Sequence, residues 1–136
     1  MRADLLEAYR NADYVVFGEP DLVLRIGVPS EYLDALLDTD GAATAAFVTG
    51  ANPHGLLVAE QANQIASFTL AEMLDGAGYT LYEGEGRDPA GEWRAEASLL
   101  IVGIARAEAE ALGRRMKQNA IVFAEKGRAP ELVVLA

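Results

Sequence analysis

Hydrophobic positions in this chain recur at two spacings, and the changes from one to the other divide it into elements. Residues 3–11 carry Leu5, Leu6 and Tyr9 on one face at a helical period. The runs 14–17 and 22–26 are β-branched and aromatic and flank Gly18-Glu19-Pro20-Asp21. Proline presets φ for the second position of a tight turn, so the two runs predict a hairpin, closed by Gly27. Ser30 can accept an orphan backbone N–H, which makes it the predicted N-cap of a helix. That helix turns Leu33, Leu36 and Leu37 inward and ends near Asp40-Gly41. Residues 45–49 form a short buried strand that stops at Asn52-Pro53, because proline lacks an N–H for a ladder and disfavours helix in the residue before it.

The longest predicted helix covers 60–77, with Ala62, Ile65, Thr69 and Met73 along its inner face and Phe68 and Leu74 beside them. Gly76 is its expected stop. A strand over 79–82 precedes a glycine- and acid-rich excursion over 83–93. Residues 98–102 are continuously apolar after Ser98, the signature of a strand covered on both faces. The next helix buries Ala105, Ala109, Leu112 and Met116. Its Glu110 precedes Arg114 by one turn, and Arg114, Arg115 and Lys117 sit at the negative end of the helix dipole. Strands over 120–123 and 132–135 follow, separated by a Lys126-Gly127-Arg128 turn. The order α-β-β-α-β-α-β-β-α-β-β predicts an α/β fold, with α+β as the near alternative. It would be a single mixed β-sheet of about seven strands with three to four helices packed on it, in one domain over 1–136.

That order also says where polar residues meet. Parallel strands need a long crossover, and helices of this length supply one. If the 45–49 strand, the long helix and the 79–82 strand form such a unit, Thr49 and Asn52 end at the same sheet edge as Glu83. The excursion then returns the chain antiparallel, so Glu96 and Ser98 begin their strand at that edge. A second crossover brings Gln118 and Asn119 there as well. Rims at strand carboxyl ends are where open α/β sheets bind ligands.

Composition narrows the chemistry available at such a rim. The 136 residues are 51% hydrophobic and 24% charged, within the globular range. The net charge of -10 repels phosphate backbones and anionic lipid, so neither nucleic acid nor a membrane surface is an expected partner. Without cysteine there are no disulfides, thiolate metal sites or thiol catalysis. His54 is the only histidine and cannot build the usual zinc site, so no metal site is predicted. No serine sits in a nucleophile elbow, no glycine run matches a phosphate loop, and nothing specifies a cofactor. The start Met1-Arg2-Ala3-Asp4 runs directly into an amphipathic pattern unlike a secretory signal. The longest apolar stretch is too short to span a bilayer, and a soluble cytoplasmic protein is expected. Arginine outnumbers lysine nine to two and alanine and glycine are abundant, a bias like that of high-GC bacteria.

Each candidate has a structural role to weigh against a functional one. Thr49 and Asn52 flank Gly50, where backbone can approach a ligand, yet asparagine before proline commonly caps its own turn. Gln118-Asn119 suits recognition of a planar polar group, and Asn119 equally suits a left-handed helix cap. Asn63 is a modest helix former on the buried margin of the long helix, where either a functional contact or a solvent-facing position explains it. Glu83 and Glu96 are the candidate acid/base pair at the two ends of an excursion that otherwise reads as a solvated loop. Trp93 stacks on a ligand or anchors that loop. His54 reads as an exposed loop residue. Arg25 either pairs with a buried carboxylate or guards a sheet edge.

Together these residues resemble a bacterial family known as domain of unknown function 3293. The matching elements are Tyr9-Arg10, Asp13-Tyr14, Phe47-Val48-Thr49 before Asn52-Pro53, Asn63, Gly78 and Glu83-Gly84. Trp93, Glu96 with Ser98-Leu99, Gly103-Ile104 and Gln118-Asn119-Ala120-Ile121-Val122 complete them. The chain departs from the family's usual pattern at Ala51, at His54-Gly55 and at Met116-Lys117. The resemblance implies a bacterial domain that stands alone or nearly so, and supplies no activity.

Two functions of different class are therefore expected. In the first, Thr49, Asn52, Asn63, Ser98, Gln118 and Asn119 bind a small polar molecule, with Glu83 or Glu96 as acid/base. In the second, the acidic surface docks a basic protein partner or a second copy of the chain without catalysis.

Overall fold

The predicted order of elements is the observed one in the computed structural model, which describes residues 2–136 and so leaves Met1 of the predicted start outside it. The elements are α1 (Ala3–Asn11), β1 (Asp13–Val16), β2 (Leu22–Leu24), α2 (Glu31–Thr39) and β3 (Thr44–Thr49). A single 3-10 turn (Pro53–Gly55) leads to α3 (Glu60–Gly76). Then come β4 (Thr80–Arg87), β5 (Glu96–Val102), α4 (Arg106–Arg115), β6 (Ala120–Glu125) and β7 (Glu131–Val134). Ser30 caps α2 as its hydroxyl chemistry predicts, accepting from the Leu33 N–H at 3.1 Å.

The strands form one curled sheet in the order β2-β1-β4-β5-β3-β6-β7. The expected mixed sheet is corrected here, because every pairing is antiparallel. The crossovers nevertheless exist. β3 and β4 both run antiparallel to β5, so they point the same way with β5 between them. In the same manner β3 separates β5 from β6. Each helical crossover thus skips one strand, which keeps the shared rim and removes any neighbouring parallel pair.

Side-chain alternation divides the interior between two faces. Leu100, Val102, Phe47 and Tyr14 pack under α2 through Leu33 and Leu37. Leu99, Ile101, Val48 and Phe123 pack under α3 and α4 through Leu70, Leu74, Ala109 and Leu112. The continuous apolar run of β5 is explained by these two covers.

Two local expectations shift. β4 runs on to Arg87, so half of the acidic excursion is strand, paired with both β1 and β5. Gly84 belongs there for a packing reason: a Cβ on it would lie 2.0 Å from the Val15 carbonyl oxygen. The long helix is also turned from its predicted face. Leu70 and Leu74 are buried, whereas Ala62, Ile65, Phe68 and Thr69 are exposed. It ends at Gly76 as expected, and the left-handed residue that follows its cap is Gly78, at φ 87°.

Candidate functional site

The site begins with a backbone necessity. As β3 leaves the sheet, Thr49 closes the exit, its hydroxyl donating to the Ala97 carbonyl at 2.7 Å and accepting from the Ala51 N–H at 3.0 Å. Three residues on, Asn52 takes the left-handed conformation (φ 47°), which asparagine tolerates better than most residues. Its Oδ1 accepts from the Val58 N–H at 3.2 Å, the turn-capping role asparagine often fills.

The remaining groups of Asn52 reach further. Its backbone N–H donates to Asn63 Oδ1 at 2.9 Å, and its Oδ1 also accepts from Asn63 Nδ2 at 3.0 Å. Its Nδ2 donates to Glu96 Oε2 at 2.6 Å. A primary amide has two donors and two acceptor lone pairs, and this arrangement uses it to join the β3 exit, α3 and the start of β5. Asn63 is half-buried inside a helix because it completes this amide pair.

Glu96 is therefore held, and it is half-buried. Burial pushes its carboxyl above its ordinary pKa, and the Asn52 hydrogen bond opposes that shift without cancelling it. Among the described residues no lysine, arginine or histidine pairs with it. Three spaces meet at this carboxylate. A cleft of about 520 Å³ opens between α3 and the segment leading into β5, lined by Asn52, Leu57, Asn63, Trp93 and Glu96. A second of about 250 Å³ lies toward α1, with Leu5, Tyr9, Leu57 and Trp93. A small cavity of about 40 Å³ lies beneath, among Tyr9, Tyr14, Phe47, Gly86 and Ser98. Trp93 lines all three, so it both packs against the core and faces the clefts.

The other predicted residues divide. Ser98 is buried and donates to the Glu96 backbone carbonyl at 2.9 Å, fixing the turn of chain that carries the carboxylate. Gln118 donates to the Ala51 carbonyl at 3.0 Å and lines the small cavity. Asn119 is buried, and its Nδ2 donates to Tyr9 Oη at 3.4 Å. The left-handed residue at the end of α4 is Lys117 (φ 58°), so Asn119 is free of the capping role weighed for it. Glu83 is not brought to the site. It pairs with Leu99, points to the α3 face and is exposed. His54 is exposed, as its loop position suggests. Arg25 lies just beyond β2 with Nη2 3.1 Å from Asp13 Oδ1, close enough for charge pairing but outside hydrogen-bond alignment, so that oxygen lacks a hydrogen bond.

Tyr9 and Tyr14 are additions that spacing did not supply as site residues. Tyr14 Oη donates to the Tyr9 carbonyl at 2.5 Å, and burial raises the pKa of both phenols, with Glu96 adding to the shift. Their only signal lay in the Tyr9-Arg10 and Asp13-Tyr14 matches. Nothing in the local pattern shows that α1 folds back over the rim.

No helix among the described residues is long and apolar enough to cross a membrane. No curated protein and no solved structure matches the chain. One family does, over a span that holds Asn52, Asn63, Trp93, Glu96, Gln118 and Asn119. Residues 48–121 match the family described as protein of unknown function DUF3293, and the chain belongs to that family.

Proposed function

We propose that this domain binds a small polar ligand at the Glu96 clefts, with Glu96 accepting or donating a proton to it. One observation carries the reading: a half-buried carboxylate, fixed by a single amide and paired with no cation, opens onto a cleft of ligand size. Such a group recognises hydrogen-bond donors, so the ligand class is an amine, an amide or a protonated heterocycle. Trp93 supplies a face for its apolar or planar part. A carboxyl raised toward neutrality exchanges protons more readily at working pH than an ordinary one. Thr49, Ser98, Gln118 and Asn119 position the loops around it, and Asn52 and Asn63 aim it.

A thermal-shift screen of small amines, amides and nucleobases, followed by calorimetric titration of any hit, tests this. A ligand of the native state at a hundredfold excess over its Kd adds about 2.7 kcal/mol of apparent stability. The expected hit is lost in Glu96→Gln, which keeps the shape and removes the charge. Hits that bind Glu96→Gln as tightly as the parent, or no hit at all, overturn the assignment.

A further inference from the structure

The outer face of α3 presents a second surface, independent of Glu96. Ile65 and Phe68 are one helical turn apart and are 62% and 65% exposed. Phe68 borders a groove of about 310 Å³ with Phe17, Ser67, Ala71 and Glu83. Single exposed apolar side chains are ordinary, but three large ones on or beside one groove call for a partner. The groove's charge says of what kind. Among the described residues that line it, the one charged side chain is a carboxylate, Glu83. Glu72 is one turn beyond Phe68, Glu83 lines the groove, and Glu19 is two residues from Phe17.

We infer that this face docks a basic amphipathic segment of another protein, its apolar side chains against Phe17, Ile65 and Phe68 and its lysines or arginines against Glu72 and Glu83. Opposite potentials steer such an encounter, and an amphipathic helix laid in a groove is a common way to meet it. A second copy of this chain fits poorly. A two-fold contact sets the same patch against itself, and here that opposes carboxylates to carboxylates with no base among them.

The test is a fluorescence-anisotropy titration with two synthetic amphipathic helices, one with a leucine stripe and lysine flanks, the other with glutamate in place of lysine. The lysine peptide binds and the glutamate peptide does not. Phe68→Ser and Ile65→Ser change no charge and alter exposed positions. Each keeps the parent melting profile while weakening the lysine peptide by roughly tenfold, the loss of a modest hot spot. Parent-like affinity in both variants reduces the contact to unspecific charge attraction and overturns the inference. So does the absence of binding, or a parent dimer in sedimentation that Phe68→Ser dissociates. Glu96→Gln binds the lysine peptide like the parent, which separates this surface from the ligand clefts.

Discussion

Glu83 and Glu96 stand on neighbouring strands, three rungs apart in the β4–β5 ladder, and their surroundings share almost nothing. An odd offset puts them on opposite faces of the sheet. On one face Glu96 meets Asn52, Trp93 and the covering helix α1, and its charge is costly to keep. On the other, Glu83 stands exposed at the groove beside Phe17 and Phe68. Two carboxylates of one acidic stretch thus divide into a half-buried group at the clefts and an exposed surface charge. Parity along the strand makes that division.

The arrangement is most easily broken at Gly84, which lets β1 lie close against β4 beneath Glu96. Gly84→Ala drives a Cβ into the Val15 carbonyl, a backbone atom that cannot rotate away. The expected loss is about 4 kcal/mol by chemical denaturation, at the upper end of overpacking effects. Gly86, two residues on and facing the same way, would place its Cβ in open space. Gly86→Ala is expected to stabilise by about 0.5 kcal/mol through the entropy of the unfolded chain. Equal effects of the two would show that the close strand approach is not what Gly84 serves.

The second break separates the two carboxylates directly. Asn52→Ala removes the donor to Glu96, leaves the Val58 N–H and the Asn63 amide short of partners, and puts alanine at a positive φ. A cost of about 2 kcal/mol follows from half-buried polar groups left without partners together with the left-handed backbone. Adding Glu96→Gln recovers part of it, since the orphan is then neutral. Glu83→Ala changes stability by less than about 0.5 kcal/mol, as exposed substitutions do. A double mutant no better than Asn52→Ala alone would mean that Asn52 does not act on the carboxylate.

Element order and the shared rim were legible because they depend on periodicity and on helix length, and both survive into three dimensions. The antiparallel pairing was not, since a strand inserted into a crossover changes its neighbours without changing its own pattern. The face of α3 differs from the expected one for a related reason. Ile65 and Phe68 fit an inward stripe as well as Leu70 and Leu74 do, and hydrophobicity cannot tell a core face from an unpartnered one. The crossover argument sets Glu83 beside Glu96 because it fixes a sheet edge and not a face, and Gly84-Glu85-Gly86 reads as loop, where parity along a strand does not apply. Those glycines are strand residues, one selected by the approach of Val15 and the other bordering the small cavity. Among the polar candidates, Asn52 and Asn63 were legible as unusual, but not as partners of each other, because their pairing across eleven positions is a product of the turn between them.

The smallest expected effect sharpens the Glu96 side through pH. Its folded carboxyl lies above the ordinary 4.5, chiefly through burial, so the folded state holds the proton more tightly than the unfolded chain does. Stability then falls with rising pH wherever the folded state binds more protons. The contribution is fully present below the unfolded value and is lost as pH rises through the folded one. Glu96→Gln has no proton to lose and keeps an oxygen for the Asn52 amide. Measured against the parent, its Tm should improve steadily as pH rises from the ordinary carboxylate value through the raised one at which Glu96 ionises. A difference that stays constant across that interval would falsify the claim that burial of this charge opposes folding. It would also leave Glu96 no better suited to proton exchange than an exposed carboxylate.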